Sequence, residues 1–164
     1  MTKTDADWEH RIADLWAAFD HHDPAEFLAM AEALTAELPP GDANALFELA
    51  SAHDSVGQPL QAAPLYRQAL AAGLTGVRHR RAVIQLASTL RNLGHADESV
   101  ALLTAEREAG SDELDDAVAA FLALALIDTG RPREAAALAL AALAPHLARY
   151  NRSLANYAKD IRPD

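Results

Sequence analysis

The sequence predicts an all-α protein, built as a right-handed α-α solenoid of helical hairpins with irregular capping helices. In three similar segments a Leu-Ala pair runs into a glycine, at Gly57, Gly94 and Gly130, and an alanine-rich stretch follows. The glycines are 37 and 36 residues apart, a period typical of arrays whose units are pairs of short helices. Apolar residues make up 51% of the chain but aromatic residues only 5%. The apolar share is therefore mostly Ala and Leu, which favour helices over strands.

The length of 164 residues allows one domain with a sizeable core. We expect a single domain over residues 1–164. It would consist of an atypical helix pair over 1–41, three repeats over 42–145 and a C-terminal capping helix over 146–164. Irregular ends are expected, because the terminal units of an array must present a polar outer face.

The first predicted helix covers about residues 7–20. Five large apolar residues follow one another at helical spacing: Trp8, Ile12, Leu15, Trp16 and Phe19. This spacing predicts one apolar stripe on the helix. Large aromatic rings cover area efficiently, so we expect the stripe to pack on the end of the array.

Capping residues, glycines and prolines set the boundaries of the eight following helices. Aspartates open the second and third helices, and prolines open the fourth and eighth. Acids occupy the first turns of the sixth and seventh, where the helix dipole favours them. The predicted spans are 23–38, 42–57, 59–73, 77–93, 96–110, 111–130, 132–145 and 145–161.

The repeats resemble the tetratricopeptide repeat. In that family the first helix carries a bulky residue, then Leu, then a small residue, and glycine ends it. The matching residues are Leu46, Leu49, Ala50 and Gly57 in the first repeat, Val83, Leu86, Ala87 and Gly94 in the second, and Ala119, Leu122, Ala123 and Gly130 in the third. The small residues would let paired helices pack closely. In the family the second helix of each repeat carries an alanine near its end. In the second repeat of this sequence Glu106 stands at that position.

The whole chain is also similar to a small bacterial group of three-repeat proteins of this type. Residues 85–94 and 150–154 carry that likeness. The resemblance implies a module for protein–protein interaction and allows a homodimer. It implies no enzymatic activity and no cofactor.

The same resemblance suggests where a partner binds, since the first helix of each pair lines the concave face in this family. The expected binding residues are Arg81, Gln85, Ser88, Arg91 and Asn92 on the fifth helix, Phe121, Leu124 and Ile127 on the seventh, and Arg152 on the ninth. The first row is cationic and rich in amides, and the second is apolar. Because arginine binds carboxylates in bidentate fashion, the expected partner is a protein or peptide with acidic and apolar residues. The arginines could instead pair with neighbouring acids of this chain.

If Leu124 and Ile127 face the groove, we expect something to bury their side chains. Three alternatives remain: the ninth helix, a partner, or a second copy of the chain. In the last case the apolar face would be the interface of a homodimer with a structural or adaptor role. The ninth helix has an apolar stripe of Leu147, Tyr150, Leu154, Tyr157 and Ile161, beside a basic stripe. It either caps the array or faces the groove.

The basic run at residues 78–81 is a surface cluster or an anion site. Bases at the start of a helix oppose the helix dipole.

Other functions are disfavoured by composition. The net charge is −10, and residues 1–60 hold 12 acids against two bases, so nucleic-acid binding is not expected. The chain has no cysteine and no apolar run near the roughly 20 residues of a membrane span, so we expect a cytoplasmic protein. The seven histidines are scattered, without a His-Glu-x-x-His pair or a Gly-x-Ser-x-Gly motif. A metal- or histidine-dependent enzyme is the least favoured hypothesis.

Overall fold

The computed structural model describes residues 3–161, and within this range every regular element is helical. Nine α-helices follow one another there: α1 (Lys3–Ala17), α2 (Pro24–Thr35), α3 (Ala43–Ser55), α4 (Pro59–Ala71), α5 (Gly76–Asn92), α6 (Ala96–Ala109), α7 (Asp115–Asp128), α8 (Pro132–Leu143) and α9 (Asn151–Asp160). Short 3-10 turns, Phe19–His21 and Ala144–His146, follow α1 and α8. The predicted all-α fold is confirmed.

The helices form two compact units, the first ending at Ala82 and the second beginning at Val83, inside α5. In the first unit α1 packs on α2, α2 on α3, and α3 on α4. In the second unit α6 packs on α7, α7 on α8, and α8 on α9. Helices that are neighbours in sequence are therefore neighbours in space, as in helical hairpins. The single domain over 1–164 stays a prediction.

Three turns of the chain have the same geometry, at the glycines that mark the repeats. Gly57, Gly94 and Gly130 have φ values of 78°, 87° and 77°, in the left-handed region that costs residues with a Cβ about 1 kcal/mol or more. In each turn the residue after the glycine donates a 2.8 Å hydrogen bond to the carbonyl five residues before it. This bond satisfies a carbonyl at the end of the helix. The glycine spacing therefore reflects a repeated helix stop.

The core of the first unit contains the predicted aromatic stripe. Three residues of that stripe are at most 5% exposed: Trp8, Ile12 and Leu15. Phe27 of α2 is fully buried, and its ring centroid lies 5.1 Å from that of Trp16 and 4.7 Å from that of Phe19. The stripe is thus the surface through which α1 packs on α2.

The core of the second unit confirms the predicted small residues. Ala87 of α5 is fully buried, and Ala123 of α7 is 6% exposed. Both belong to one apolar cluster with Leu103, Leu122 and Leu126. A small side chain at these positions leaves room for the larger ones, so alanine is a packing requirement there.

Three predicted helix starts are wrong, and the first is that of α1, which begins at Lys3 instead of about residue 7. α7 begins at Asp115 instead of residue 111, because Asp112 accepts a 2.8 Å hydrogen bond from the Leu114 N–H and forms a turn before the helix. α9 begins at Asn151, since Pro145 lies in a 3-10 turn and the backbone is extended at Leu147. Of the capping helix predicted over 146–164, residues 162–164 lie outside the described residues.

Candidate functional site

α7 is buried along one side and carries an apolar row on the other. The row consists of Phe121, Leu124 and Ile127, and is called the α7 row below. Leu124 is 41% exposed and Ile127 is 53% exposed, whereas Phe121 is partly buried against the core of the second unit. Residues three apart are neighbours on a helix surface. The row therefore forms one apolar patch that faces solvent.

The second half of α5 places polar groups beside this row. The Nε atom of Arg91 lies 2.6 Å from the Oδ2 atom of Asp128 on α7, with the side chains 28% and 38% exposed. Ser88 is partly buried and Asn92 is exposed. Gln85 is partly buried and engaged in contacts of its own. The alternative that the arginines pair with acids of the chain therefore holds for Arg91.

α9 does not cover the α7 row. It packs against α8 and the turn that follows α8, and Leu124 and Ile127 stay exposed. Coverage by the ninth helix, one of the three predicted alternatives, is therefore wrong. The predicted apolar stripe of that helix is also wrong in part, because Tyr150 and Tyr157 are 76% and 68% exposed.

Arg152 lies at a separate place in the second unit. It lines a cleft of about 240 Å³ whose lining residues come from α8, the 3-10 turn after it, and α9. No lining residue comes from α5 or α7. The structure therefore does not bring Arg152 next to the α7 row.

Arg81 belongs to the first unit, and Arg91 belongs to the second. Arg81 is exposed, and its guanidinium lies 5.2 Å from the centre of the Phe47 ring, within the range of a cation–π contact. It borders a polar cleft of about 330 Å³ between α1, α3 and the first half of α5. Acidic and basic side chains share this cleft, so it has no single sign of charge.

The same cleft is lined by a cluster of three charged residues and one tryptophan, called the charged cluster below: Glu9, Glu48, Arg78 and Trp16. The terminal nitrogens of Arg78 donate to both Glu9 oxygens, at 2.7 and 2.6 Å. Its Nε donates to Glu48 Oε1 at 3.0 Å, and the Trp16 indole N–H donates to Glu48 Oε2 at 2.8 Å. Glu48 is only 4% exposed. The hydrogen bonds that Arg78 donates to Glu9, followed by the negative charge of Glu48, raise the pKa of Arg78, so the guanidinium is firmly charged.

The sequence did not reveal this cluster. The basic run at 78–81 was expected to be a surface cluster or an anion site, but the Arg78 side chain is 21% exposed and Arg80 is 5% exposed. Arg78 pairs with acids of its own unit, and Arg80 is also engaged. One feature of the sequence could have indicated the cluster. Glu48 stands among the apolar positions of α3, and a buried carboxylate needs partners.

The histidines do not form a metal-binding group in the part of the chain that the structure describes. There, no three His, Asp or Glu side chains converge to hold a metal ion. His53 pairs with Gln58 at 2.8 Å, and exposed His146 pairs with Asp116 at 2.7 Å. In the same residues, no helix is long and apolar enough to cross a membrane.

A family model described as tetratrico peptide repeat matches residues 43–161, more than half of the chain. The match begins at the start of α3 and includes the three glycine turns and α9. No curated protein and no solved structure matches the chain. Repeats of this family form non-enzymatic scaffolds that generally mediate protein–protein interaction. The chain belongs to the tetratrico peptide repeat family.

Proposed function

We propose that this chain is a protein–protein interaction module whose α7 row binds an apolar segment of a protein or peptide partner. The observation that carries the proposal is the exposure of Leu124 and Ile127, at 41% and 53%. Fully burying such a side chain is worth about 1.5–3 kcal/mol, and these two are roughly half exposed. Covering both therefore contributes on the order of 2 kcal/mol to binding. The proposal takes the module to act in the cytoplasm, as the sequence predicts.

The polar groups beside the α7 row favour a partner that carries acidic residues. Asp128 approaches Arg91 at Nε, so a partner carboxylate would approach the terminal nitrogens of the same guanidinium. Asn92 is exposed and Ser88 is partly buried on the same half of α5 as Arg91, so their amide and hydroxyl groups stay candidate contacts. Arg152, which lines a separate cleft of the second unit, and Arg81 of the first unit stay candidate contacts. Gln85 stays a candidate as well.

Site-specific photo-crosslinking tests this assignment. A benzophenone amino acid replaces Ile127 in one variant and Leu60 of α4, which is 73% exposed, in a control variant. The expected result is an adduct with a partner protein from Ile127 alone, lost when Leu124→Asp is added. Equal adducts from both positions would show that the α7 row is not the binding site.

The same experiment separates the alternative of a homodimer. An adduct with twice the mass of the chain would indicate that the α7 row is the interface between two copies. The role would then be structural or that of an adaptor. Light scattering of the purified protein, with and without Leu124→Asp, would measure the mass of the complex directly.

A further inference from the structure

The outer side of α7 changes along the helix from acidic and small to large and apolar. Four exposed residues follow one another there at intervals of three or four: Asp116, Ala120, Leu124 and Ile127. Residues at this spacing are neighbours on a helix surface. Ala117 is partly buried and lies three residues before Ala120. The first half of this side therefore presents small residues, and the second half presents Leu124 and Ile127 of the α7 row.

The order of small and large residues is complementary to its own reverse. Two copies of α7 can pack antiparallel around a two-fold axis that lies midway between Ala120 and Leu124. In that register Ala120 of one copy faces Leu124 of the other, and Ala117 faces Ile127. Each large side chain then lies opposite a small one, so the two helix surfaces can interdigitate. The sizes of the residues thus define both a direction and a register.

The charges at the two ends of α7 agree with this register. Asp116 and Asp128 are about 120° apart around the helix, so they lie at opposite edges of its outer side. The two-fold axis exchanges the edges and brings Asp116 of one copy level with Asp128 of the other. At that edge α5 holds Arg91, whose Nε lies 2.6 Å from Asp128. The terminal nitrogens of the same guanidinium can donate to the second carboxylate.

Asp116 has the exposure that such a contact requires. Its side chain is 56% exposed, and its Oδ2 lies 2.7 Å from Nε2 of His146, which is 62% exposed. A carboxylate accepts hydrogen bonds from more than one donor, so this pair leaves room for Arg91 of another copy. Size and charge therefore select the same occupant in the same register, and that occupant is a second copy of this chain.

We infer that the α7 rows of two copies bind each other, antiparallel and with Arg91 of each copy paired to Asp116 of the other. The inference rests on the proposed function, because it names an occupant of the same row. The contact uses one main helix from each copy, so it belongs to the small and weak class of interfaces. A second copy then covers the row until a protein that binds more tightly replaces it.

Sedimentation velocity with two charge-reversed variants tests the contact. Because each copy has a net charge of −10, the measurement is made at about 0.15 M salt, which screens long-range repulsion. The wild type should dimerise as its concentration rises to about 1 mM, the range of weak contacts. Arg91→Glu alone and Asp116→Arg alone should each weaken dimerisation about tenfold or more, because both contacts become repulsive.

Mixing the two variants should restore the dimer. In a mixed pair Glu at position 91 of one copy meets Arg at position 116 of the other, and the native Asp116 meets the native Arg91. The double variant Arg91→Glu/Asp116→Arg should dimerise by itself for the same reason. Arg149→Glu and Asp160→Arg are the matched controls, since both residues are exposed near or on α9, and each variant should dimerise like the wild type.

Disulfide formation tests the register without a change of charge. The chain has no cysteine, so Ala120→Cys and Leu124→Cys each introduce a single thiol. Under mild oxidation a mixture of these two variants should crosslink faster than either variant alone, because only the mixed pair places the two thiols opposite each other. Leu60→Cys is the exposed control and should not crosslink faster than a random encounter. Circular dichroism checks that every variant folds.

The outcomes separate this inference from the proposed function. A wild type that stays monomeric up to about 1 mM, although Ile127 still crosslinks to another protein, would overturn the inference alone. Dimerisation that is lost in Leu124→Asp but unchanged in both charge variants would overturn the register. Dimerisation that Leu124→Asp leaves intact would place the interface elsewhere and also overturn the inference. Absence of both dimer and crosslink would overturn the proposed function as well.

Discussion

Replacing Arg78 by methionine tests whether the charged cluster stabilises the first unit. Methionine keeps much of the apolar stem but removes the guanidinium that both Glu9 and Glu48 contact. Glu48, at 4% exposure, would keep only the 2.8 Å hydrogen bond from Trp16. Breaking a buried ion pair leaves the buried charge of Glu48 without its cationic partner. We therefore expect the free energy of unfolding to fall by about 3–5 kcal/mol.

The two carboxylates should contribute unequally. The Glu9 side chain is 37% exposed, so water can replace part of its interaction with Arg78, and Glu9→Gln should cost about 1 kcal/mol or less. Glu48→Gln removes a buried charge and should cost about 1.5–3 kcal/mol. Glu9 makes the shorter bonds, at 2.6–2.7 Å against 3.0 Å. A ranking by distance alone would predict the opposite order.

Urea unfolding followed by tryptophan fluorescence measures these losses. Both tryptophans, Trp8 and Trp16, lie in the first unit, so the fluorescence signal follows that unit, and circular dichroism follows all helices. Arg91→Met is the matched control. Its ion pair with Asp128 is partly exposed, and its loss should cost about 1 kcal/mol or less.

Two results would refute the reasoning. One is a stability of Arg78→Met within about 0.5 kcal/mol of the wild type, the size of an ordinary surface effect. The other is a larger loss for Glu9→Gln than for Glu48→Gln. Either result would mean that burial does not set the strength of these pairs.

Three further predictions concern packing, pH and binding. Ala87→Leu or Ala123→Leu should overpack the second core and lower its stability by about 1–3 kcal/mol in urea unfolding; an unchanged midpoint for both would contradict the repeat register. Burial raises the pKa of Tyr66. The unfolded chain therefore loses this proton first, and the free energy of unfolding should fall above pH 10 by up to about 1.4 kcal/mol per unit. Urea unfolding at pH 9 and pH 11 should show a smaller fall in Tyr66→Phe. Arg91→Ala should weaken binding of the partner crosslinked at Ile127 about tenfold by calorimetry, whereas an equal loss in Arg131→Ala would mean a general effect of charge.

Local chemistry made much of the fold predictable. The glycine spacing located three helix stops because only glycine adopts their left-handed φ at no steric cost, and Asp23 and Pro24 marked the start of α2. The outer row of α7, with Leu124 and Ile127, was predicted from the family resemblance, in which the first helix of each repeat lines the concave face.

Contacts between residues that are far apart in the sequence could not be predicted. Glu9 and Arg78 are 69 residues apart, and Glu48 and Arg78 are 30 apart. Helical periodicity gives the side on which a residue lies, but it does not say which acid meets which base. The outward tyrosines of α9 were missed for a similar reason. An apolar stripe predicts a buried surface only if another helix lies opposite it, and α8 covers a different side of α9.

The boundary between the two units lies inside a continuous helix. α5 runs from Gly76 to Asn92 without interruption, and the division falls between Ala82 and Val83. A fragment cut there would end in half a helix, with up to four backbone carbonyls or N–H groups left without their helical partners. Truncated versions of this protein should therefore keep the whole of α5 in each piece. Limited proteolysis of the native protein should spare this boundary and cut first in exposed loops.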